Sequence, residues 1–445
     1  MKVIVFVFVI AGIATGVPAA ERPVTDLDAM AGKALYVKNC SGCHGERGDG
    51  AGPAADFVDP RPRDFTKHVF KFRTTPSGQP PMTADILRVI ERGVPGTAMP
   101  SFAFLPEADR KKMAAYVLQV ADLIDGQEPT PFADPGAIPA ATPETIAKGK
   151  QFYVDAGCAA CHGDAGKGDG PSANGLADGD GRPIKPRDFT TGVYRGGSDA
   201  KDVFYRIACG MDGTPMPAFG DVIEKPDLIA VVHYLQSLQA KPTAQPLPSD
   251  PVAAGRAVAA RYSCQGCHVL DDGKGGAVGP DFRLVSQKLS PEWVRTFLKS
   301  PDGYGKIYPW RPYVMPRLGI KPDEIDAMAK YFAAVGKRED KPLVLPDPKT
   351  FPAAKLEEGK NLFVLRCAQC HTLGKVIETP LAAQQGPDLI KVAGRVDYAW
   401  AREWIINPKK FDPNTRMQVT DITPDQVDSV RMFVWKTAME TGGGQ

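Results

Sequence analysis

The sequence predicts an all-α chain of four consecutive domains in two pairs, ordered A-A-B-B. Three observations carry that expectation. A C-x-x-C-H motif occurs four times, about a hundred residues apart, beginning at Cys40, Cys158, Cys264 and Cys367. A helical stretch that opens on a glycine precedes each motif, and an amphipathic helix closes each repeat. Proline-rich segments separate the repeats, as in "QEPTPFADPGAIPAATP", "AKPTAQPLPSDP" and "KREDKPLVLPDPKTFP". Proline makes such linkers semi-rigid.

The elements follow in the same order each time. The opening stretches are "GKALYVKNC", "GKQFYVDAGC", "GRAVAARYSC" and "GKNLFVLRC". The closing ones are "ADRKKMAAYVLQVADL", "PDLIAVVHYLQSL", "PDEIDAMAKYFAAV" and "PDQVDSVRMFVWKTA", with Tyr116, Tyr234, Tyr331 and Phe433 at matching places. A glycine on the opening helix would let an aromatic of the closing helix pack close and fix their crossing. The first two repeats share "RPRDFT" with "KPRDFT" and "GTAMP" with "GTPMP". The last two share "GPD" and a tryptophan-bearing helix, and all five tryptophans lie there. Expected domains are residues 26–126, 143–240, 250–337 and 353–440.

At 445 residues the chain is too long for one ordinary domain. With 43% hydrophobic and 24% charged residues it has a globular composition. A formal charge of +2 and the lack of a lysine or arginine block give no sign of a nucleic-acid partner. The start, "MKVIVFVFVIAGIATGVPAAERP", has a basic residue, an apolar run and small residues, the layout of a signal peptide spanning residues 1–20 and cleaved after Ala19 or Ala20. The alternative is an uncleaved anchor. A periplasmic location is expected, with membrane association if the segment is retained.

Eight of the nine cysteines lie in the motifs: Cys40, Cys43, Cys158, Cys161, Cys264, Cys267, Cys367 and Cys370. Four of the six histidines follow directly, at His44, His162, His268 and His371. Zinc ribbons bring their CxxC pairs together two by two, and these pairs are far apart. A redox dithiol needs one CxxC and no histidine, and disulfides leave the histidines unexplained. Covalent c-type haem accounts for both residue types: two thiols add to the vinyl groups, and the adjacent imidazole reaches the iron. Four such haems are expected.

A second axial ligand would lie downstream. Met99, Met216, Met315 and Met417 follow the histidines by 55, 54, 47 and 46 residues, the first three standing before proline. Methionine is commonly core filler, yet paired spacings favour ligation. A thioether raises the reduction potential, which suits a carrier.

This layout resembles the class I cytochrome c family, repeated four times over nearly the whole chain after the leader. The resemblance implies a proline carbonyl that accepts a hydrogen bond from the proximal imidazole. Pro280 and Pro387 are similar to that segment, and Pro53 and Pro171 are the candidates in the first two repeats.

Some residues stand outside the repeat. Cys209 would be a buried thiol or a rival ligand to the second haem, with Met211 a further competitor. His68 and His233 would be packed or solvated. Arg63, Asp64 and Arg73 recur as Arg187, Asp188 and Arg195, either as surface ion pairs or as arginines bound to haem propionates. The expected function is electron relay between redox partners, these being other redox proteins or a respiratory complex. The alternatives are a haem enzyme of peroxidase or thiosulfate-dehydrogenase type with one open haem, and a cytochrome subunit of a membrane respiratory complex.

Overall fold

The computed structural model describes residues 22–239, 246–276, 278–301, 314–341, 343–378, 386–412, 415–418 and 421–441. The expected leader lies outside them. Among the described residues there is no strand, only isolated β-bridges, and no helix is long and apolar enough to cross a membrane.

Four helical units follow one another, each around its own core. The first holds α1 (Asp26–Asn39), α2 (Ser41–His44), α3 (Thr83–Arg92) and α4 (Glu107–Val120). The second holds α5 (Pro143–Asp155), α6 (Cys158–His162), α7 (Ala200–Ala208) and α8 (Lys225–Ser237). The third holds α9 (Pro251–Arg261), α10 (Phe282–Lys288), α11 (Pro291–Lys299) and α12 (Pro322–Val335). The fourth holds α13 (Ala353–Leu362), α14 (Tyr398–Ile406) and α15 (Pro424–Glu440).

In each unit the first and last helices cross at the first helix's glycine. A Cβ on Gly32, Gly149 or Gly359 would lie 2.0, 1.9 or 2.0 Å from a carbonyl oxygen of the closing helix, at Lys112, Ala230 and Ser429. No side chain fits at such a distance. The sequence-based expectation of an aromatic against the glycine holds most directly at Gly255, whose Cβ would lie 2.2 Å from Tyr331 Cβ and Cγ. Elsewhere the backbone itself makes the approach. One turn on, Tyr36 meets Tyr116 at 4.8 Å between ring centroids, and Tyr153 meets Tyr234 at 5.2 Å. The Tyr36 and Tyr153 hydroxyls then donate to the carbonyls of Gly45 and Gly163, just beyond the motifs. The helix crossing thereby fixes the position of each motif.

Units one and two pack reciprocally. A Cβ on Gly96 would lie 3.1 Å from Val193 Cγ1, and one on Gly213 would lie 2.9 Å from Val69 Cγ1. The equivalent arginines, Arg187 and Arg63, point at the same two glycines. Arg73 is buried across this boundary. It donates to the Cys209 carbonyl at 3.0 Å and pairs with Asp212 at 2.7 Å. The intervening segment is docked as well: Glu128 accepts from the Thr83 amide and pairs with buried Arg22, and Phe132 packs on Phe204.

Units three and four pair by the same logic with other residues. Leu289 and Val396 form an antiparallel bridge, with Ser290 N–H donating to Arg395 O at 2.9 Å and Asp397 N–H to Lys288 O at 2.8 Å. Ser290 and Asp397 also cap α11 and α14. Arg395 lies over the Trp293 ring and Lys288 over the Trp400 ring. The A-A and B-B groupings read from the sequence are therefore also two spatial pairs.

Candidate cofactor sites

Each motif ends as a short turn from which the histidine points inward. All four proximal imidazoles meet a backbone carbonyl through Nδ1. The partners are Arg63 O at 2.9 Å for His44 and Arg187 O at 3.3 Å for His162. For His268 and His371 they are Pro280 O and Pro387 O, each at 2.8 Å. Pro280 and Pro387 thus match the expectation, and Pro53 and Pro171 do not. In the first two units an arginine carbonyl takes the role. An N–H donated from Nδ1 leaves Nε2 with its lone pair free to bind a metal.

The reason for the substitution is local. The residue whose carbonyl accepts this bond is always followed by aspartate and then by Phe or Leu: Arg63-Asp64-Phe65, Arg187-Asp188-Phe189, Pro280-Asp281-Phe282 and Pro387-Asp388-Leu389. The aspartate caps the next turn, accepting from the amides of Thr66, Thr190, Arg283 and Ile390. In the first three units the aromatic lies on the imidazole, with centroids 4.7, 4.5 and 4.7 Å apart. The common signal is the aspartate and its apolar successor, with proline optional. Asp64 and Asp188 are accordingly turn caps.

Burial holds the first thiol of each motif neutral. It pushes Cys40 and Cys264 up to about 12 and Cys367 to about 11. Burial also lowers the affinity of His44, His162 and His371 for a proton, against the opposing pull of the carbonyl. Neutral imidazole is the ligating form. Among the described residues no three His, Cys, Asp or Glu side chains gather as a metal cluster, which a four-ligand zinc site requires.

The first three motifs and Met99, Met216 and Met315 all border one continuous cavity of about 1520 Å³. A pocket for one small molecule typically measures roughly 300–1,000 Å³, so this space suits several large flat groups. Its wall also carries Arg63, Lys71, Arg187 and Arg195. The buried Nε atoms of Arg187 and Arg195 have no hydrogen-bond partner in the protein. Such donors suit haem propionates, and the apolar remainder of the wall suits a porphyrin face. The residues therefore fit covalent haem. Arg73 does not line this space and serves the boundary between units.

The methionine loops share a feature that was not anticipated. The amides of Met99, Met216 and Met417 donate to a threonine hydroxyl two residues earlier, at 3.1, 3.2 and 3.2 Å. Thr415 and Met417 thus make the same contact as their counterparts in the first two units, without the following proline. Met417 Sδ in addition accepts from the Trp404 indole at 2.8 Å.

Met211 borders the cavity beside Met216, whereas Cys209 does not. Cys209 is fully buried, and its thiol is pushed up to about 11 by desolvation. His68 closes a turn in the left-handed conformation, away from the cavity. His233 is packed, with Nε2 donating to Pro139 O at 3.0 Å and Nδ1 meeting Thr145 Oγ1 at 2.9 Å.

Comparison with known proteins agrees with this geometry. The family model for cytochrome c matches residues 29–121, 146–239 and 252–335. The chain is 27% identical over 207 residues to the Cbb3-type cytochrome c oxidase subunit FixP of Azorhizobium caulinodans, covering 46% of this chain and 58% of that protein. It is 29% identical over 224 residues to the Azospirillum subunit CcoP, covering 47% and 62%. This chain therefore spans only about three fifths of those relatives. Cytochrome c 2.1 of Caenorhabditis briggsae is 34% identical over 86 residues, covering 15% of this chain and 72% of that protein. A chain of a Kuenenia stuttgartiensis reducing HAO-like protein complex aligns at 42% identity and a TM-score of 0.45, covering 47% of this chain and 96% of that one. With three matched units and the imidazole–carbonyl arrangement common to all four, the chain belongs to the cytochrome c family, as a multi-domain member whose cofactor is covalently bound haem c.

Proposed function

We propose that this chain is an exported, periplasmic tetrahaem relay that passes electrons between redox partners. The observation that carries this reading is the single cavity bordered by three motifs, which would hold three redox centres side by side. The bound iron supplies one-electron chemistry. The protein does the rest. Each motif's two cysteines anchor a haem, and His44, His162, His268 and His371 serve as proximal ligands oriented by their carbonyls. Met99, Met216, Met315 and Met417 complete the coordination. Arg63, Arg187 and Arg195 neutralise charge at the cavity wall, and the apolar core excludes water. A methionine for every iron leaves no open site, which favours a carrier over a peroxidase-type or thiosulfate-dehydrogenase-type enzyme. A haemochrome assay on the purified chain is expected to return four c-type haems; two or fewer would sink the proposal.

The likeness to FixP and CcoP supports a second reading, a cytochrome subunit docked on a membrane respiratory complex. Under that reading, the chain co-fractionates with membranes in detergent-sensitive form and is released by loss of its partner. A freely diffusing chain in the periplasmic fraction speaks for the first reading.

A further inference from the structure

The two pairs of units make contact away from the segment by which the chain passes between them. The segment linking pair to pair joins unit two to unit three. The contact across the halves, however, lies between units one and three. Val58 sits over Gly266, where an added Cβ would lie 2.4 Å from Val58 Cγ1. Phe57 faces Gly276 in the same way, at 3.2 Å. Val314 N–H reaches Lys38 O at 3.4 Å, and the Arg317 guanidinium lies 5.2 Å from the centre of the Phe104 ring. At the middle of this contact the side chains of Cys43 and Cys267 face each other. Both are the second cysteine of their motif, so both adjoin a proximal histidine.

In a haem-loaded chain these two sulfurs are thioethers, each carrying the edge of its own macrocycle. Their proximity would leave little protein between the two groups that they hold. The pairs one–two and three–four are each reciprocal, and the contact between one and three joins them. Gly266 explains why the approach is possible: any side chain there would hold Val58 and its loop away from the third motif.

We propose that the contact between Cys43 and Cys267 is the electronic junction of the molecule, so that electrons traverse the units in the order two, one, three, four. Each transfer oxidises one unit by one electron and reduces its neighbour by one, with no bond made or broken and no proton moved. The first motif is then an interior station, and the terminal stations are the second and fourth units. This rests on the relay reading above and adds its order.

The test uses the four-haem protein. Met99→His, Met216→His and Met315→His, made singly and in pairs, give the chosen haems a bis-histidine EPR signature. The signals of units one and three are expected to broaden each other when both are ferric, and Val58→Glu to diminish that broadening. Mutual broadening of units two and three, with none between one and three, overturns the order. Should the variants fail to fold, NMR exchange spectra of partly reduced unaltered protein give the same pairwise interactions, again strongest for one with three. Failure of the relay reading looks different: fewer than four haems, or four haems that no redox partner can reduce, with the one–three interaction still present.

Discussion

Trp404 donates its indole N–H to the sulfur of Met417, at 2.8 Å. The pairing occupies one sulfur lone pair and leaves the other for a metal. It also withdraws electron density from the thioether, which favours the ferrous state. Stacked Trp400 and overlying Lys288 hold the indole in place. Replacing Trp404 by Phe is expected to lower the potential of the fourth haem by roughly 20–60 mV, the worth of about one hydrogen bond. A spectroelectrochemical titration reads this directly, and an unchanged fourth wave would show that the sulfur of Met417 does not face the iron.

Arg63 and Arg187 each reach towards the other unit's methionine loop. One guanidinium therefore influences two sites. Removing a cation about 10 Å from a redox centre costs the reduced state roughly 1–2 kcal/mol at an effective dielectric near 20. Arg187→Gln is expected to lower two of the four potentials by tens of millivolts, whereas an arginine serving only its own unit would lower one.

Cys209 gives a pH dependence. Burial holds its thiol up at about 11, well above an ordinary cysteine. A group whose folded pKa is raised supports the fold below its unfolded pKa and withdraws that support as pH climbs towards the folded value. Stability is thus expected to fall between about pH 9 and pH 11, and Cys209→Ala to flatten that limb of a denaturation series. Thiol titration after reduction adds a second readout. With four haems attached, the native holoprotein should show no reactive thiol at pH 8, and the unfolded one a single thiol, because the other eight would be thioethers.

Gly149 tests the helix crossing. Its Cβ position lies 1.9 Å from Ala230 O, so Gly149→Ala must separate α5 from α8. A cost of about 1–3 kcal/mol is expected from overpacking. It should appear in calorimetry as an earlier transition of the half that holds units one and two. Equal melting of wild type and variant would mean that the two helices yield at no cost.

Much of this was legible in the sequence because it repeats. Four cysteine–histidine motifs, four methionines and four glycines declare themselves by spacing alone. The carbonyl partners of His44 and His162 were missed for a physical reason. A backbone oxygen carries no residue signature, so proline served as its proxy, and in the first two units arginine stands in that place. The constant was the aspartate that caps the following turn, visible as Asp64, Asp188, Asp281 and Asp388 once the repeats are aligned on it. The match of Arg73 to Arg195 is out of register: with Asp64 on Asp188 and Phe70 on Tyr194, Arg195 falls on Lys71, and both line the cavity, whereas Arg73 falls on Gly197 and is spent on Cys209 O and Asp212. A basic residue two places off looks equivalent until the stacked aromatics fix the register.

The reciprocal seams bear on how such a chain could be taken apart. Cutting between units one and two would strip Val193 and Arg187 from Gly96, and Val69 and Arg63 from Gly213, exposing both methionine loops at once. A lone repeat, although it carries a complete ligand set, is therefore an unfinished object. The smallest piece that could be inherited, borrowed or expressed on its own is the doublet, and duplication of this gene would be expected to proceed by twos.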